Sequence, residues 1–192
     1  DVYKRQAIGK GIGMVHQHFM LVPNFTVLEN VMLGREGSLS VETGARKARE
    51  ALNKLSLDFG LAVDPDMIVE DLPVGLQQRV EILKALFRGA EILILDEPTA
   101  VLTPQEVEEF FTIVRSLRDA GKAIVFITHK LHEILEIADR VSVLRQGRVV
   151  GTGQPDSFSE ADLAEMMVGR PVSFSVERSA ARTGDAVLRL ND

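Results

Sequence analysis

A nine-residue stretch, Glu-Ile-Leu-Ile-Leu-Asp-Glu-Pro-Thr at residues 91–99, constrains the fold more than any other part of the chain. Its four consecutive large aliphatic residues are typical of a strand buried on both faces of a parallel sheet. Two carboxylates, Asp96 and Glu97, follow at once, and Pro98 ends the strand. Because open α/β sheets bind ligands at the carboxyl ends of their strands, the sequence predicts a functional site at these two acids.

The two acidic residues allow two interpretations. A carboxylate at Asp96 is the type of hard oxygen ligand that suits Mg²⁺, and a carboxylate at Glu97 suits a base that polarises an attacking water. A strand that ends in a solvated acidic turn has the same local sequence. Other motifs in the chain are therefore needed to separate a catalytic site from an ordinary turn.

Composition narrows the class of protein. The chain has 192 residues, enough for one α/β domain, and its 22 Lys and Arg against 28 Asp and Glu give a formal net charge of −6. General nucleic-acid binders are usually basic, so we expect no nucleic-acid partner. The chain contains no cysteine, which excludes disulfides, zinc-thiolate sites and thiol catalysis. No apolar run approaches the roughly 20 residues that span a bilayer, so work at a membrane would require another subunit.

The spacing of apolar residues predicts the order of helices and strands. Residues 1–6 have no clear period, and we interpret them as a frayed or foreign junction without a function. A capping box, in which Thr is followed three residues later by Glu, predicts helix starts at Thr26 and Thr103. The other expected elements are strands at 11–16, 91–96 and 123–128, helices at about 43–59, 75–87, 131–138 and 159–168, and a hairpin at 141–152.

Four features follow one another in a fixed order along the chain. They are Gln17 after the first strand, a Gly- and Gln-containing helix start at 72–79, the Asp-Glu strand end, and His129 after the next strand. This order resembles the ATP-binding subunit of ABC transporters over roughly residues 9–170. The resemblance implies an α/β fold with a P-loop NTPase-like core sheet and an inserted helical subdomain, and an ATPase that uses ATP and Mg²⁺.

The resemblance also implies a division into domains. Residues 1–170 would form a partial ABC ATPase module, with a helical subdomain at about 18–89 and a catalytic α/β part at about 90–152. Residues 171–185 would be a linker, and 186–192 would begin a possible second module. Three stretches, at 15–23, 74–86 and 96–104, are similar to the two-module ATPases of bacterial nucleoside and simple-sugar importers.

The same resemblance implies a role for each polar residue at a strand end. Asp96 and Gln17 would hold Mg²⁺, and Gln17 would also sense the γ-phosphate of ATP. Glu97 would be the catalytic base, and His129 would hydrogen-bond a γ-phosphate oxygen and hold the attacking water. Taken alone, a loop Gln is usually a solvated side chain and a strand-end His is usually a structural donor; the order of the motifs favours the catalytic interpretation.

Residues 72–79, Leu-Pro-Val-Gly-Leu-Gln-Gln-Arg, resemble the ABC signature, usually Leu-Ser-Gly-Gly-Gln. Such a helix start can meet a phosphate across a dimer interface. A proline at the serine position removes a hydroxyl and one N–H donor, so we expect the composite site in the partner module to be weakened. Thr103 falls where the family has its D-loop, and its capping role alone would explain a threonine there. The nucleotide-binding candidates in these two segments are Leu72, Pro73, Val74, Gly75, Gln77 and Thr103.

The family's phosphate-binding loop, Gly-x-x-x-x-Gly-Lys-Ser/Thr, does not occur in the sequence. We expect it upstream of residue 1 in an N-terminally truncated chain, and we expect this chain alone to be almost inactive. The intact protein would be an ABC ATPase that powers import of a nucleoside or simple sugar from the cytoplasmic face of the membrane. Its partners would be the membrane subunits, through about residues 18–34, a second ABC module and, indirectly, a solute-binding protein.

Two other functions stay open at this point. A nucleotide-incompetent interaction module would bind a partner through the helical region at 18–89, and it would be favoured if the native gene lacks a phosphate-binding loop. A non-transport ABC ATPase acting on ribosomes or DNA would carry basic insertions or long charged arms. The sequence shows no such insertions, and its acidic balance weighs against this alternative.

Overall fold

The computed structural model describes residues 2–34 and 41–171. These residues fall into two compact units, one ending at Ala138 and one beginning at Asp139. The first unit contains the parallel sheet and the predicted site residues. The predicted linker, apart from residue 171, and the predicted start of a second module at 186–192 lie outside the described residues.

Three parallel strands form the sheet of the first unit, in the order β1-β2-β3. Val15 pairs with Leu95, and Asp96 pairs with Ile127, so all three strands end at the same edge of the sheet. The three predicted strands are confirmed, but their predicted burial is not, since β3 has no fully buried residue. Their bounds are Ile12–Val15 for β1, Ile92–Asp96 for β2 and Ala123–Ile127 for β3.

Six α-helices accompany this sheet among the described residues. The two predicted capping boxes are confirmed: Thr26 caps α2 with Glu29, and Thr103 caps α5 with Glu106. In both, the Thr hydroxyl accepts from the third N–H of the helix and the Glu carboxylate accepts in return. The helices are α1 (Val2–Gly9), α2 (Val27–Met32), α3 (Val41–Phe59), α4 (Val74–Phe87), α5 (Pro104–Asp119) and α6 (Leu131–Ile137).

Residues 2–6, which we interpreted as part of a frayed or foreign junction, are helical, so the expectation of a frayed segment is wrong for them. Helix α1 begins at Val2, and its side chains are largely exposed, as at Tyr3. A regular spacing of apolar residues indicates that one face of a helix is buried. The hydrogen bonds of a helix join residues close in sequence and form with or without such a face. A helix that buries little can therefore form where the sequence shows no period.

One face of the sheet forms part of the hydrophobic core. Leu93 and Leu95 of β2 are fully buried there with Val15, in the cluster that also takes side chains from α2, α3, α4 and α5. The rings of Phe110, Phe111 and Phe126 lie 6.3–6.4 Å apart between centroids and join α5 to β3. This packing fixes the sheet against the helices.

The opposite face of the sheet is open, which corrects the prediction that β2 is buried on both faces. Met14, Val125 and Ile127 are 40%, 48% and 44% exposed, and Ile92 is also exposed. Parallel sheets are usually covered on both faces, whereas on this face Ala7 and Ile8 of α1 share a pocket with Ile12, Met14 and Ile94 and leave the four side chains named above exposed. We call the set Ile12, Met14, Ile92, Ile94, Val125 and Ile127 the open sheet face.

The second unit is a hairpin with one helix. Strands β4 (Val141–Arg145) and β5 (Arg148–Gly153) are antiparallel, as predicted, and α7 (Glu160–Val168) packs on β4. Gln146 and Gly147 join the strands with φ of +50° and +74°, values that suit the tight turn of a hairpin. Within residues 2–34 and 41–171, every helix is too short or too polar to cross a membrane.

Candidate functional site

The ends of β2 and β3 bring Glu97 and His129 together. His129 Nδ1 lies 2.8 Å from Glu97 Oε1. The carboxylate is mostly buried, with 18% of its side chain exposed, whereas the imidazole is 69% exposed. Adjacent parallel strands produce this pairing because their ends share one edge of the sheet. The two predicted catalytic residues are thus in direct contact.

Glu97 has an unusual backbone and a free carboxylate oxygen. Its φ is +48°, in the left-handed region that residues other than glycine seldom adopt, and its N–H donates to Ile127 O at 2.8 Å. Such strain tends to occur at functional sites. Oε2 is buried and has no hydrogen-bond partner among the described residues. This oxygen can accept a proton or a hydrogen bond from a bound water.

Four polar side chains that the sequence analysis did not assign to the site surround the turn after Glu97. Gln78 of α4 donates through Nε2 to Pro98 O at 2.6 Å. Lys130 Nζ donates to Thr99 O at 2.8 Å, and the Thr99 hydroxyl donates to Glu133 Oε2 at 2.6 Å. Gln78, Thr99 and Glu133 are buried polar residues, and the presence of Gln78 and Glu133 among the apolar positions of α4 and α6 was the signal that the sequence offered.

Gln17 and Asp96 lie at the same edge of the sheet. Gln17 is exposed, two residues beyond the end of β1, and Asp96 is the half-buried last residue of β2. Among the described residues no three His, Cys, Asp or Glu side chains form a metal-binding cluster. Mg²⁺ in nucleotide sites often takes one or two carboxylates with phosphates and waters, so an amide and a carboxylate fit that ion.

The segment at 72–77 forms the start of α4. Pro73 is the N-cap and provides no side-chain cap; the N–H of Leu76 donates to Pro73 O at 2.9 Å, and no side chain of the N-cap serves the N–H groups of Val74 and Gly75. Leu72 is buried in the core, and the side-chain amide of Gln77 donates from Nε2 to Leu72 O at 2.9 Å. A Cβ on Gly75 would lie 2.8 Å from Glu106 Oε1, so glycine leaves room for the Glu106 carboxylate beside the start of α4.

The signature-like segment and the catalytic pair occupy different places on this chain. Pro73 and Gly75 line a cleft of about 280 Å³ between α4 and α5, and neither Glu97 nor His129 lines it. Thr103, at the start of α5, uses its hydroxyl to cap that helix and donates to Glu106 Oε2 at 2.9 Å. The candidate residues therefore form two separate sites.

Comparisons with known proteins identify the family and the fold. A family model described as "ABC transporter" matches residues 1–100. The fold is that of part of an ATP-binding cassette. The chain resembles the structure of the cassette MJ0796 in a post-hydrolysis state bound to ADP and Pi, at 27% identity and a TM-score of 0.62, over 81% of this chain and 68% of that one. The predicted fold class is confirmed.

Two curated relatives are similar over almost the whole sequence. The nucleoside import ATP-binding protein NupA of Lactococcus lactis subsp. cremoris is 50% identical over 97% of this chain and 37% of its own length. The glucose import ATP-binding protein TsgD13 of Haloferax volcanii is 46% identical over 96% of this chain and 39% of its own length. The chain belongs to the ABC transporter family, as its motifs predicted, and spans little more than a third of these relatives.

Proposed function

We propose that this chain is part of the ATP-hydrolysing subunit of an importer for a nucleoside or a simple sugar. The observation that carries the proposal is the contact between Glu97 and His129, in which one buried carboxylate oxygen has no partner. The names of the similar proteins, which refer to nucleoside and glucose import, support the choice of solute class.

The reaction is in-line attack of water on the γ-phosphate of ATP. Glu97 Oε2 accepts a hydrogen bond from the attacking water and orients it. His129 donates a hydrogen bond from Nδ1 to Glu97 Oε1. When the His129 imidazole is protonated on both nitrogens, its Nε2 also donates to a γ-phosphate oxygen. These groups act on the same phosphate because they lie 2.8 Å apart at one sheet edge.

Asp96 and Gln17 are the residues that would hold Mg²⁺. When bound, the ion would neutralise charge on the phosphates. The phosphate-binding loop would come from chain that precedes residue 1 in the longer protein, which would also cover the open sheet face. This chain alone therefore lacks the groups that cradle the β- and γ-phosphates, and we expect it to hydrolyse ATP negligibly.

The second site would serve a neighbouring module. The segment from Leu72 to Gly75, with Gln77 and Thr103, would complete the nucleotide site of a second ABC module across an interface. Pro73 leaves the start of α4 without a side-chain cap and has no N–H, which supports a weakened site. Residues 18–34 would contact the membrane subunits on the cytoplasmic face, and a solute-binding protein would act through those subunits.

We propose the same division into domains that the sequence motifs predict. Residues 1–170 would be a partial module with a helical subdomain at about 18–89 and a catalytic part at about 90–152, followed by a linker and the start of a second module. Acidic residues outnumber basic ones, which supports the absence of a nucleic-acid partner.

The test is ATP binding and hydrolysis by the protein encoded by the intact gene, reconstituted with its membrane subunits in vesicles. We expect hydrolysis that depends on Mg²⁺ and uptake of a nucleoside or sugar that depends on ATP. A protein that binds no ATP would overturn the proposal in favour of an interaction module. Hydrolysis with no uptake of any solute, but with stimulation by ribosomes or DNA, would favour a non-transport ATPase.

A further inference from the structure

Helix α4 holds the turn that carries Glu97. The side chain of Gln78 is buried, with 2% of the residue exposed, and its Nε2 donates to Pro98 O at 2.6 Å. The Pro98 carbonyl belongs to the residue that directly follows Glu97 and is itself buried. A buried carbonyl without a donor would be costly, so this hydrogen bond both satisfies Pro98 and fixes its position.

A second set of bonds holds the same turn from α6. Lys130 Nζ donates to Thr99 O at 2.8 Å and lies 3.2 Å from Glu133 Oε1, while the Thr99 hydroxyl donates to Glu133 Oε2. The residues after Glu97 are thus held between two helices. Glu97 keeps its left-handed backbone because its neighbours over-determine the conformation.

Gln78 also lies near the start of its helix. Four residues separate it from Val74, the first residue of α4, a distance of about 6 Å along a helix axis. Val74 and Gln78 belong to one continuous helix whose Val80 and Leu83 pack in the core, so a shift of the helix start carries Gln78 with it. A ligand that shifts the helix start therefore shifts the Pro98 carbonyl.

We propose that Gln78 is a positioning residue for Glu97, and that it links the signature-like segment of this module to the catalytic turn of the same module. The inference rests on the proposed function, because it assigns to the helix start the contact with a nucleotide bound by the neighbouring module. Occupation of that site would then set the orientation of Glu97 through one amide-to-carbonyl bond.

The test uses the full-length protein with Gln78→Met, which keeps the length of the side chain and removes the donor. We expect kcat to fall about 10- to 100-fold, because misplacing a catalytic group by a fraction of an ångström costs rate, with ATP affinity changed less than about threefold. The matched control is Ser56→Ala, which removes the bond from Ser56 Oγ to Leu61 O at 3.0 Å elsewhere in the same unit. We expect this control to keep its kcat within about twofold.

A double-mutant cycle separates positioning from general damage. If Gln78 acts through Glu97, adding Gln78→Met to Glu97→Gln should leave the residual single-turnover rate within about twofold. An equal fall in both backgrounds would overturn the inference. So would a Gln78→Met protein with a wild-type kcat.

A second variant covers the case in which Gln78→Met does not fold. Gln78→Glu has the same shape, and it can donate to Pro98 O only as the neutral acid. We expect its kcat relative to wild type to rise from about pH 8 to about pH 6, since burial favours the neutral carboxyl. A ratio of one at every pH would contradict the role of the donor.

Different results would contradict the proposed function and the positioning role of Gln78. If the wild-type protein does not hydrolyse ATP, or if Glu97→Gln leaves hydrolysis unchanged, the proposed function fails. If both of those results are as expected but the Gln78 variants behave like Ser56→Ala, only the positioning role fails.

Discussion

The ammonium group of Lys84 donates to the main-chain carbonyl of Met20 at 2.5 Å and ties the middle of α4 to the loop that follows Gln17. Lys84 is 8% exposed, and its neighbour one turn away, Glu81, is 4% exposed, with 3.4 Å between Nζ and Oε1. A loop with the predicted phosphate-sensing glutamine at one end is thus anchored by a buried charge.

This anchor predicts a large loss of stability in Lys84→Met. The substitution keeps most of the apolar stem but leaves Glu81 buried without its cation. We expect the free energy of unfolding to fall by about 3–5 kcal/mol, which is typical when one partner of a buried pair is removed. Urea-induced unfolding followed by circular dichroism measures this change.

The matched control for Lys84→Met is the double variant Glu81→Gln with Lys84→Met, which removes both charges. It should recover part of the lost stability, because no uncompensated charge then remains in the interior. A double variant less stable than Lys84→Met would contradict the explanation by an unpaired carboxylate.

Glu97→Gln in the intact protein is expected to abolish turnover and to keep ATP binding. The amide has the same shape as the carboxylate but is a poor acceptor for the proton of the attacking water, so kcat should fall by at least about 100-fold. Glu91→Gln makes the same chemical change at the exposed residue before β2 and should keep its activity. Unchanged hydrolysis in Glu97→Gln would remove Glu97 from its role as base.

His129→Ala is expected to lower kcat by about 100-fold, because one donor to the γ-phosphate and the partner of Glu97 Oε1 are lost together. His132→Ala provides the control, since His132 is exposed three residues further along the chain. Steady-state phosphate release measures both. Equal activity of the two variants would mean that the His129 contact has only a structural role.

The capping boxes predict a pH dependence of stability. Bonds from the backbone N–H and then the hydroxyl of Thr103 hold the pKa of Glu106 below its ordinary value. A carboxylate with a lower pKa in the folded state contributes stability that is present above the unfolded pKa and is lost as the pH falls through the folded pKa. We therefore expect Glu106→Gln, which keeps an oxygen acceptor but does not titrate, to lose less stability than wild type between about pH 5 and about pH 2.

Unfolding in urea at a series of pH values measures this effect. Glu29, whose pKa is lowered in the same way by Thr26, offers an independent position for the same test. If wild type, Glu106→Gln and Glu29→Gln all showed the same pH slope, the carboxylates would have no role in acid sensitivity.

Local signals in the sequence predicted most of the fold. The capping boxes at Thr26 and Thr103 and the hairpin turn at Gln146 involve residues close in sequence, and all three are present. The sequence placed Glu97 and His129 at strand ends, and the structure brings them into contact because β2 and β3 are parallel neighbours that end at one edge of the sheet.

Tertiary relationships were harder to predict. The bond from Gln78 to Pro98 joins residues 20 apart, and the bond from Thr99 to Glu133 joins residues 34 apart. Helical periodicity identifies which face of a helix points to the core, but it does not identify the carbonyl or hydroxyl group to which a polar side chain on that face bonds. The prediction that β2 is buried on both faces was wrong. Aliphatic residues on both sides of a strand indicate that both faces favour burial, but they do not indicate which part of a protein covers each face.

The open sheet face has a consequence for anyone who prepares this chain by itself. Four exposed aliphatic side chains, Met14, Ile92, Val125 and Ile127, come from three neighbouring strands, and exposed apolar surface of this kind favours self-association. In light scattering, we expect the chain alone to form concentration-dependent assemblies, with charged substitutions at Met14 and Val125 restoring monomers. A change from assemblies to monomers in light scattering, rather than any enzymatic assay, would then be the earliest sign that another surface covers this face of the sheet.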